Sequence, residues 1–138
     1  MWDTRSTHRL KAGHYQAFQE NSLDVTYFAS VYIGSPPQAI KLVFDTGSDW
    51  LVAESNKCKN CHGDNFDETK SKTYKKLSKS ITVKEYGSAK LRGYDAIDNV
   101  CLDEGEDFCV EKFHWFLVMK QKGIGKKIDG VIGMCRYA

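Results

Sequence analysis

From Val25 onward the chain alternates short apolar runs with clusters of turn-forming residues. Residues 25–33 are rich in aromatic and β-branched side chains and stop at Gly34-Ser35-Pro36-Pro37, which reads as a strand closed by a turn. Residues 40–44 form a second short apolar strand and residues 50–53 a third. Residues 81–86 and 91–94 flank Gly87-Ser88, the pattern of a hairpin. Residues 97–102 and 108–119 read as further strands, and 128–134 is apolar but interrupted by glycines. Residues 57–79 are polar and predict a long loop with one helical turn near 67–73. Residues 1–22 carry no convincing periodicity and read as leader or loop. Many short strands, close-set turns and few helical stretches predict an all-β domain. No internal repeat or low-complexity segment is visible.

Composition narrows this picture only a little. The 138 residues suit one compact domain with a sizeable core. At 41% hydrophobic, 28% charged and 12% aromatic, the chain has an ordinary globular composition. A formal net charge of +2 makes no strong electrostatic case for nucleic acid. The lysines gathered at 70–79 and 120–127 read as solvated loops rather than a nucleic-acid stripe. No apolar run reaches the ~18 residues of a membrane span. The polar start MWDTRSTHRLKAGHYQ lacks the apolar middle of a signal peptide and is consistent with the tail of a propeptide. Cysteines stand at 58, 61, 101, 109 and 135. Two close pairs and one leftover fit disulfides in an oxidising compartment better than cytosolic thiols. Cys135 has no assigned partner.

Asp45 carries the most suggestive chemistry. It follows the apolar run Ile40-Lys41-Leu42-Val43-Phe44 and precedes the small residues Thr46, Gly47 and Ser48. Such a strand carries a carboxylate towards an apolar interior, where it is costly unless hydrogen-bonded or paired. Gly47 permits a tight turn and close backbone approach, and the Thr46 and Ser48 hydroxyls can orient the acid. The plainer reading is an aspartate capping its own backbone in a strand-end turn. Cys58-Lys59-Asn60-Cys61-His62 matches three patterns: haem attachment, half of a zinc site and a redox C-x-x-C. Zinc wants a second pair at ligand spacing, which Cys101 and Cys109 do not supply, and the β pattern argues against haem. A bridge between Cys101 and Cys109 would staple a hairpin around the acidic segment 103–107. His8, His14 and His114 belong to no constellation.

Taken together, the motifs resemble the pepsin-like aspartic protease family. Ile33-Gly34-Ser35-Pro36-Pro37-Gln38 and then Val43-Phe44-Asp45-Thr46-Gly47-Ser48 are similar to its opening hairpin and catalytic turn. Asn65-Phe66-Asp67 with Ser71-Lys72-Thr73-Tyr74 resembles its surface segment, and Tyr86-Gly87-Ser88 its flap tip. Gly93, Asp98 and Val100 fall at the family's spacing after the flap. Ile128-Asp129-Gly130-Val131-Ile132-Gly133-Met134 resembles its late hydrophobic-Asp-Gly signature. The likeness runs in unbroken order from about Leu23 to Met134.

The resemblance implies an all-β acid-protease lobe over residues 23–138, preceded by a leader or propeptide remnant over 1–22. It implies Asp45 as a catalytic carboxylate, supported by Thr46, Gly47 and Ser48, and a substrate-binding flap at Tyr86, Gly87 and Ser88. It implies a Cys58–Cys61 disulfide loop after the catalytic strand. No cofactor and no metal are expected. The partners implied are a protein or peptide substrate and a source for the second carboxylate, because no further Asp-Thr/Ser-Gly occurs in the sequence. That source would be a following carboxy-terminal lobe or a second subunit; the other expectation is a non-catalytic, peptide-binding or inactive remnant. A secretory, lysosomal or vacuolar setting is implied by family likeness. The sequence departs from the family pattern in two places. The tryptophan usual seven residues after the catalytic aspartate is Val52 here, with Trp50 two residues earlier on the same strand face. Lys90 and Arg92 also make the outgoing flap strand basic, which reads as solvent-facing charge or an altered subsite.

Overall fold

The computed structural model describes residues 9–10, 14–15, 20–22, 26–61, 65–86, 89–105, 107–123 and 129–134. Eleven strands carry the fold: β1 (Arg9–Leu10), β2 (His14–Tyr15), β3 (Glu20–Ser22), β4 (Thr26–Ile33), β5 (Gln38–Asp45), β6 (Leu51–Glu54), β7 (Lys75–Lys76), β8 (Thr82–Tyr86), β9 (Ala89–Cys101), β10 (Cys109–Lys122) and β11 (Gly130–Gly133). Among the described residues there is one 3-10 turn, Glu68–Lys70, and it falls within the span where one helical turn is expected. Its first turn is capped by the Asp67 carboxylate, which accepts from Thr69 N–H at 3.0 Å. The all-β expectation holds.

Two expectations at the level of elements differ. Residues 1–22, read as leader or loop, contain three short strands; β1 pairs with β2, and β3 pairs antiparallel with β4. Pairing at a sheet edge is made by main-chain groups, so side-chain periodicity gives no warning of it. The two strands expected at 91–94 and 97–102 are one continuous 13-residue strand, β9. The polar interruption at Asp95 is absorbed because β7 and β10 continue the ladder on either side of Ala96.

The main sheet has the order β3-β4-β5-β11-β6-β10-β9-β7, with β8 on β9. Tyr32 and Ile33 of β4 also pair with Cys101 and Val100 of β9, so the ladder β4-β5-β11-β6-β10-β9 closes on itself. Closure gives these strands two apolar faces. Leu51 and Ala53 of β6, Trp115 and Leu117 of β10, and Ile40 and Leu42 of β5 join Val31, Ile33, Phe66, Ala96 and Val100 in one core. Val52, Phe116, Val118, Leu91 and Val131 form a second core on the opposite face. All four residues of β6 are buried, which explains a run with no hydrophobic–polar alternation.

β11 is wedged between β5 and β6, parallel to the first and antiparallel to the second. Space is the governing constraint. A Cβ on Gly130 would stand 1.9 Å from the Val52 carbonyl oxygen, and one on Gly133 would stand 2.5 Å from Trp50 N. The glycines that interrupt the apolar segment are therefore what lets it enter the slot.

Candidate functional site

Asp45 ends β5, and its main chain is held from the β11 side: Met134 N–H donates to the Asp45 carbonyl at 2.7 Å, and Gly133 N–H to Trp50 O at 2.8 Å. The chain then reverses through Thr46 and Gly47, both exposed, into β6. Gly47 N–H donates to Asp45 Oδ1 at 3.0 Å, the backbone contact expected of this turn. The carboxylate is half-buried. It stands at the mouth of the strand rather than deep in the apolar interior that the preceding run suggests. Ser48 is half-buried as well. A fixed acid facing accessible space, with a main-chain donor on one oxygen, can hold water and exchange a proton.

Tyr86 closes β8 opposite Ala89, so the hairpin expected at this point forms. Gly87 and Ser88, assigned from the sequence to its tip, lie outside the described residues. β8 meets the segment after Asp45 through a contact the sequence did not single out. Lys84 Nζ lies 3.6 Å from the Trp50 ring centroid and 5.4 Å from that of Phe116. A cation over an aromatic face at this distance is attractive, the more so where water is partly excluded. The same ammonium lies 4.0 Å from Asp95 Oδ1. Trp50 thus bridges the segment after Asp45 and the strand leading to Tyr86, packing against the second core as Val52 takes a fully buried place.

The other motif residues build a scaffold. Gln38, from the Pro-Pro-Gln turn, exchanges two hydrogen bonds of 2.8 Å with the main chain of Asp67. Asp98 is buried; it accepts from Ser71 Oγ at 2.7 Å, from Thr73 Oγ1 and from Asn99 N–H at 2.7 Å. Ser71 Oγ in turn accepts from Ser35 N–H at 3.1 Å. Asp129 is also buried and accepts from Lys41 N–H at 2.9 Å. Beside them Trp115 packs edge to face against both Phe66 and Tyr74, with Phe66 and Trp115 centroids 5.0 Å apart, and Phe66 and Tyr74 are tilted at 50° to each other. Burial is the main cause that pushes the Tyr74 phenol up to about 12, with the nearby Glu68 and Asp98 carboxylates adding to it. The Thr69 hydroxyl holds the Asp67 carboxyl below its usual range.

Cys58 and Cys61 are bonded to each other, as are Cys101 and Cys109. The second bridge joins residues directly opposite in the β9–β10 register. Disulfide formation in the C-x-x-C segment leaves neither sulfur as a thiolate for zinc or a thioether for haem. Among the described residues no group of three or more His, Cys, Asp or Glu could hold a metal ion. No helix among them is long and apolar enough to cross a membrane.

A closed β-ladder with a strand wedged behind an Asp-Thr-Gly turn, and a hairpin in cation–π contact with the segment after that turn, fits the acid-protease class of domain. The eukaryotic aspartyl protease family model matches residues 26–137, and the chain belongs to that family. It is 47% identical over 77 residues to syncephapepsin of Syncephalastrum racemosum, covering 56% of this chain and 20% of that protein. It is 36% identical over 126 residues to cathepsin D of Rattus norvegicus, covering 83% of this chain and 31% of the relative. Against cyprosin of Cynara cardunculus it is 34% identical over 122 residues, covering 83% and 25%. The matched region thus spans between 20% and 31% of the length of these relatives.

Proposed function

We propose that this chain is the amino-terminal lobe of an aspartic endopeptidase and contributes Asp45 as one of two catalytic carboxylates. The observation that carries the reading is the Asp45 turn: a half-buried acid at a strand end, with Gly47 N–H on Oδ1, in a chain of this family. Two carboxylates set close together cannot both ionise, so they hold one proton between them. The ionised member takes a proton from a water held between the two, and that water attacks the scissile carbonyl. The protonated member donates to the oxygen on which charge develops. Gly47 N–H keeps one lone pair of Asp45 occupied, which fixes the plane of the carboxylate. In this reading Thr46 and Ser48 support the turn, and Thr46 helps join it to the partner half. The twin aspartate comes from outside these 138 residues, in a following lobe or a second subunit.

The hairpin of β8 and β9 acts as the flap, with Tyr86, Gly87 and Ser88 over an extended peptide bound as an added strand. The cation–π contact between Lys84 and Trp50 ties flap position to the catalytic turn. Two disulfides agree with a secreted, lysosomal or vacuolar setting. Residues 1–22 would be the end of a propeptide.

The test is Asp45→Asn in the protein assembled with the lobe or second subunit that supplies the other aspartate, assayed on a peptide substrate at acidic pH with and without a pepstatin-type inhibitor. Loss of about 10³-fold or more in kcat/KM is expected, with the melting temperature within about 3 °C of the parent. Inhibitor-sensitive activity that survives the substitution would remove Asp45 from the chemistry. A parent protein that binds peptide in the same cleft without cleaving it, even with that second half present, favours the second reading, a non-catalytic remnant of the fold.

A further inference from the structure

β6 pairs with β10 through Val52, Ala53 and Glu54, opposite Phe116, Leu117 and Val118. Beyond that point β10 runs on to Lys122, and Lys120, Gln121 and Lys122 pair on the other side with Arg92, Leu91 and Lys90 of β9. Those β9 residues pair in turn with Val83, Lys84 and Glu85 of β8. The last residues of β10 are therefore the base on which the β8–β9 hairpin stands. The ladder is locally disrupted just there, because the register shift between Val118 and Lys120 skips Met119.

The chain that follows β6 takes over its place beside β10. Ser55 N–H donates to Val118 O at 2.9 Å, and Lys59 N–H donates to Met119 O at 3.3 Å. One step further the contact is made by a side chain. Asn60 Oδ1 accepts from Gln121 N–H at 2.9 Å, and Asn60 Nδ2 donates to Gln121 O. A carboxamide carries both a donor and an acceptor, as a peptide group does. Asn60 thus stands in for the strand residue that β6 no longer supplies. Gln121 Nε2 returns a bond to Asn60 O at 3.1 Å. Gln121 is 6% exposed, a place where unpaired main-chain groups are costly. The Cys58–Cys61 disulfide closes the loop around Asn60, and both cysteines pack against the second core, which also holds Leu91. Asn60, Gln121, Leu91 and Lys84 follow one another across the sheet, and Lys84 lies against Trp50.

We propose that Asn60 is a positioning residue for the flap: its carboxamide, held by the disulfide loop, continues the sheet past the end of β6 and fixes the base of the β8–β9 hairpin relative to Asp45. This rests on the reading of that hairpin as a flap over bound peptide. Asn60 touches no reacting atom in this scheme and acts through Gln121 and Leu91. A hairpin with a shifted base holds the peptide at a changed distance from the carboxylates, and a misplacement of about 1 Å can cost about 100-fold in rate.

The test is Asn60→Ala, with Asn60→Gln beside it, in the protein assembled with the half that supplies the second aspartate. Amide hydrogen exchange at Gln121 and along β8 and β9 should quicken about tenfold or more in Asn60→Ala. KM for a peptide substrate should rise about tenfold, with a smaller fall in kcat per active site counted by titration with a pepstatin-type inhibitor. A purely structural role would lower the count of active molecules and leave KM of the remainder unchanged. Asn60→Gln keeps a carboxamide in the loop and should recover most of both effects. Gln121→Ala keeps the main-chain groups that Asn60 bonds, so it should raise KM less than Asn60→Ala does. If Asn60→Ala does not fold, Asn60→Asp replaces it, since it keeps the acceptor for Gln121 N–H and loses the donor; the same changes, about half as large, are expected. Unchanged KM beside an active parent overturns the inference, and so does unchanged exchange at Gln121. Failure of the protease reading shows differently, as activity surviving Asp45→Asn or as peptide bound without cleavage. In the second case the peptide dissociation constant takes the place of KM.

Discussion

Asp45 and Asp98 both lie in family motifs and both sit on β-strands, yet their surroundings differ in the way that separates chemistry from architecture. Asp98 is buried, and two hydroxyls and a main-chain N–H donate to it. A carboxylate so placed is anchored and screened from solvent, and it serves to bind Ser71 and Thr73 to β9. Asp45 is half-exposed at a strand end, with the exposed Thr46 and Gly47 beside it. Its environment leaves a reacting molecule room to approach. The contrast teaches that a motif in register identifies the fold, whereas accessibility distinguishes which carboxylate can act.

The contrast breaks if the two substitutions behave alike. Asp45→Asn is expected to have the largest effect, on rate and not on folding. Asp98→Ala should do the reverse. It removes the buried acceptor shared by the Ser71 and Thr73 hydroxyls and the Asn99 N–H and leaves a cavity where the carboxylate stood. The cost should be roughly 2–4 kcal/mol, read as a fall of about 10 °C or more in melting temperature. A fall of only a few degrees would show that the buried network is not what fastens residues 71–73 to β9.

Gly133→Ala probes the Asp45 turn from behind. The added Cβ would meet Trp50 N at 2.5 Å and both Asp49 N and Ser48 C at 2.6 Å, all backbone atoms that must move as a unit. A loss of about 1–3 kcal/mol in stability is expected. Because the displaced segment follows Asp45 directly, kcat/KM per folded molecule should drop as well, by about tenfold. Denaturant unfolding and peptide hydrolysis on the same preparation check both. If stability falls while turnover per folded molecule stays unchanged, then the position of β11 does not set the geometry of Asp45.

Much of this was legible in the residues, and what was not has a physical cause. The turns at Gly34-Ser35-Pro36-Pro37 and Asp45-Thr46-Gly47, the hairpin ending at Tyr86, and the pairing of Cys101 with Cys109 depend on neighbours close in sequence. They could be read from local chemistry and family likeness. The insertion of β11 between β5 and β6 could not, since Gly133 pairs with Asp45 across a long stretch of chain. The same holds for the hydrogen bonds between Asn60 and Gln121, 61 residues apart, and for the opposition of Arg92 and Lys120, which needs the register shift after Val118. The strand at Glu20–Ser22 left no apolar trace because its main chain makes the pairing. In the sequence Trp50 reads only as a displaced tryptophan; its partner in the structure is Lys84, which no motif marks.

The smallest expected effect sharpens the comparison from the Asp98 side. Tyr74 lies in that scaffold, stacked near Phe66 and Trp115, and its phenol is raised from 10.0 to about 12, chiefly by burial. The unfolded chain therefore releases this proton before the folded one does. Stability that Tyr74 contributes is complete below pH 10 and is lost as pH rises from about 10 to about 12. Because the ring is only partly buried, the loss should be roughly 1 kcal/mol after allowance for solvent screening. Lysines titrate in the same range, so the informative quantity is the difference between the parent and Tyr74→Phe. The parent should lose that extra stability between pH 10 and 12 in denaturant titrations, and the variant should not. Identical slopes in the two proteins would mean that Tyr74 ionises as freely in the folded state as in the unfolded one. The aromatic group beside Asp98 would then be as open to water as the unfolded chain, and the distinction between a more buried scaffold and an open Asp45 turn would lose its physical basis.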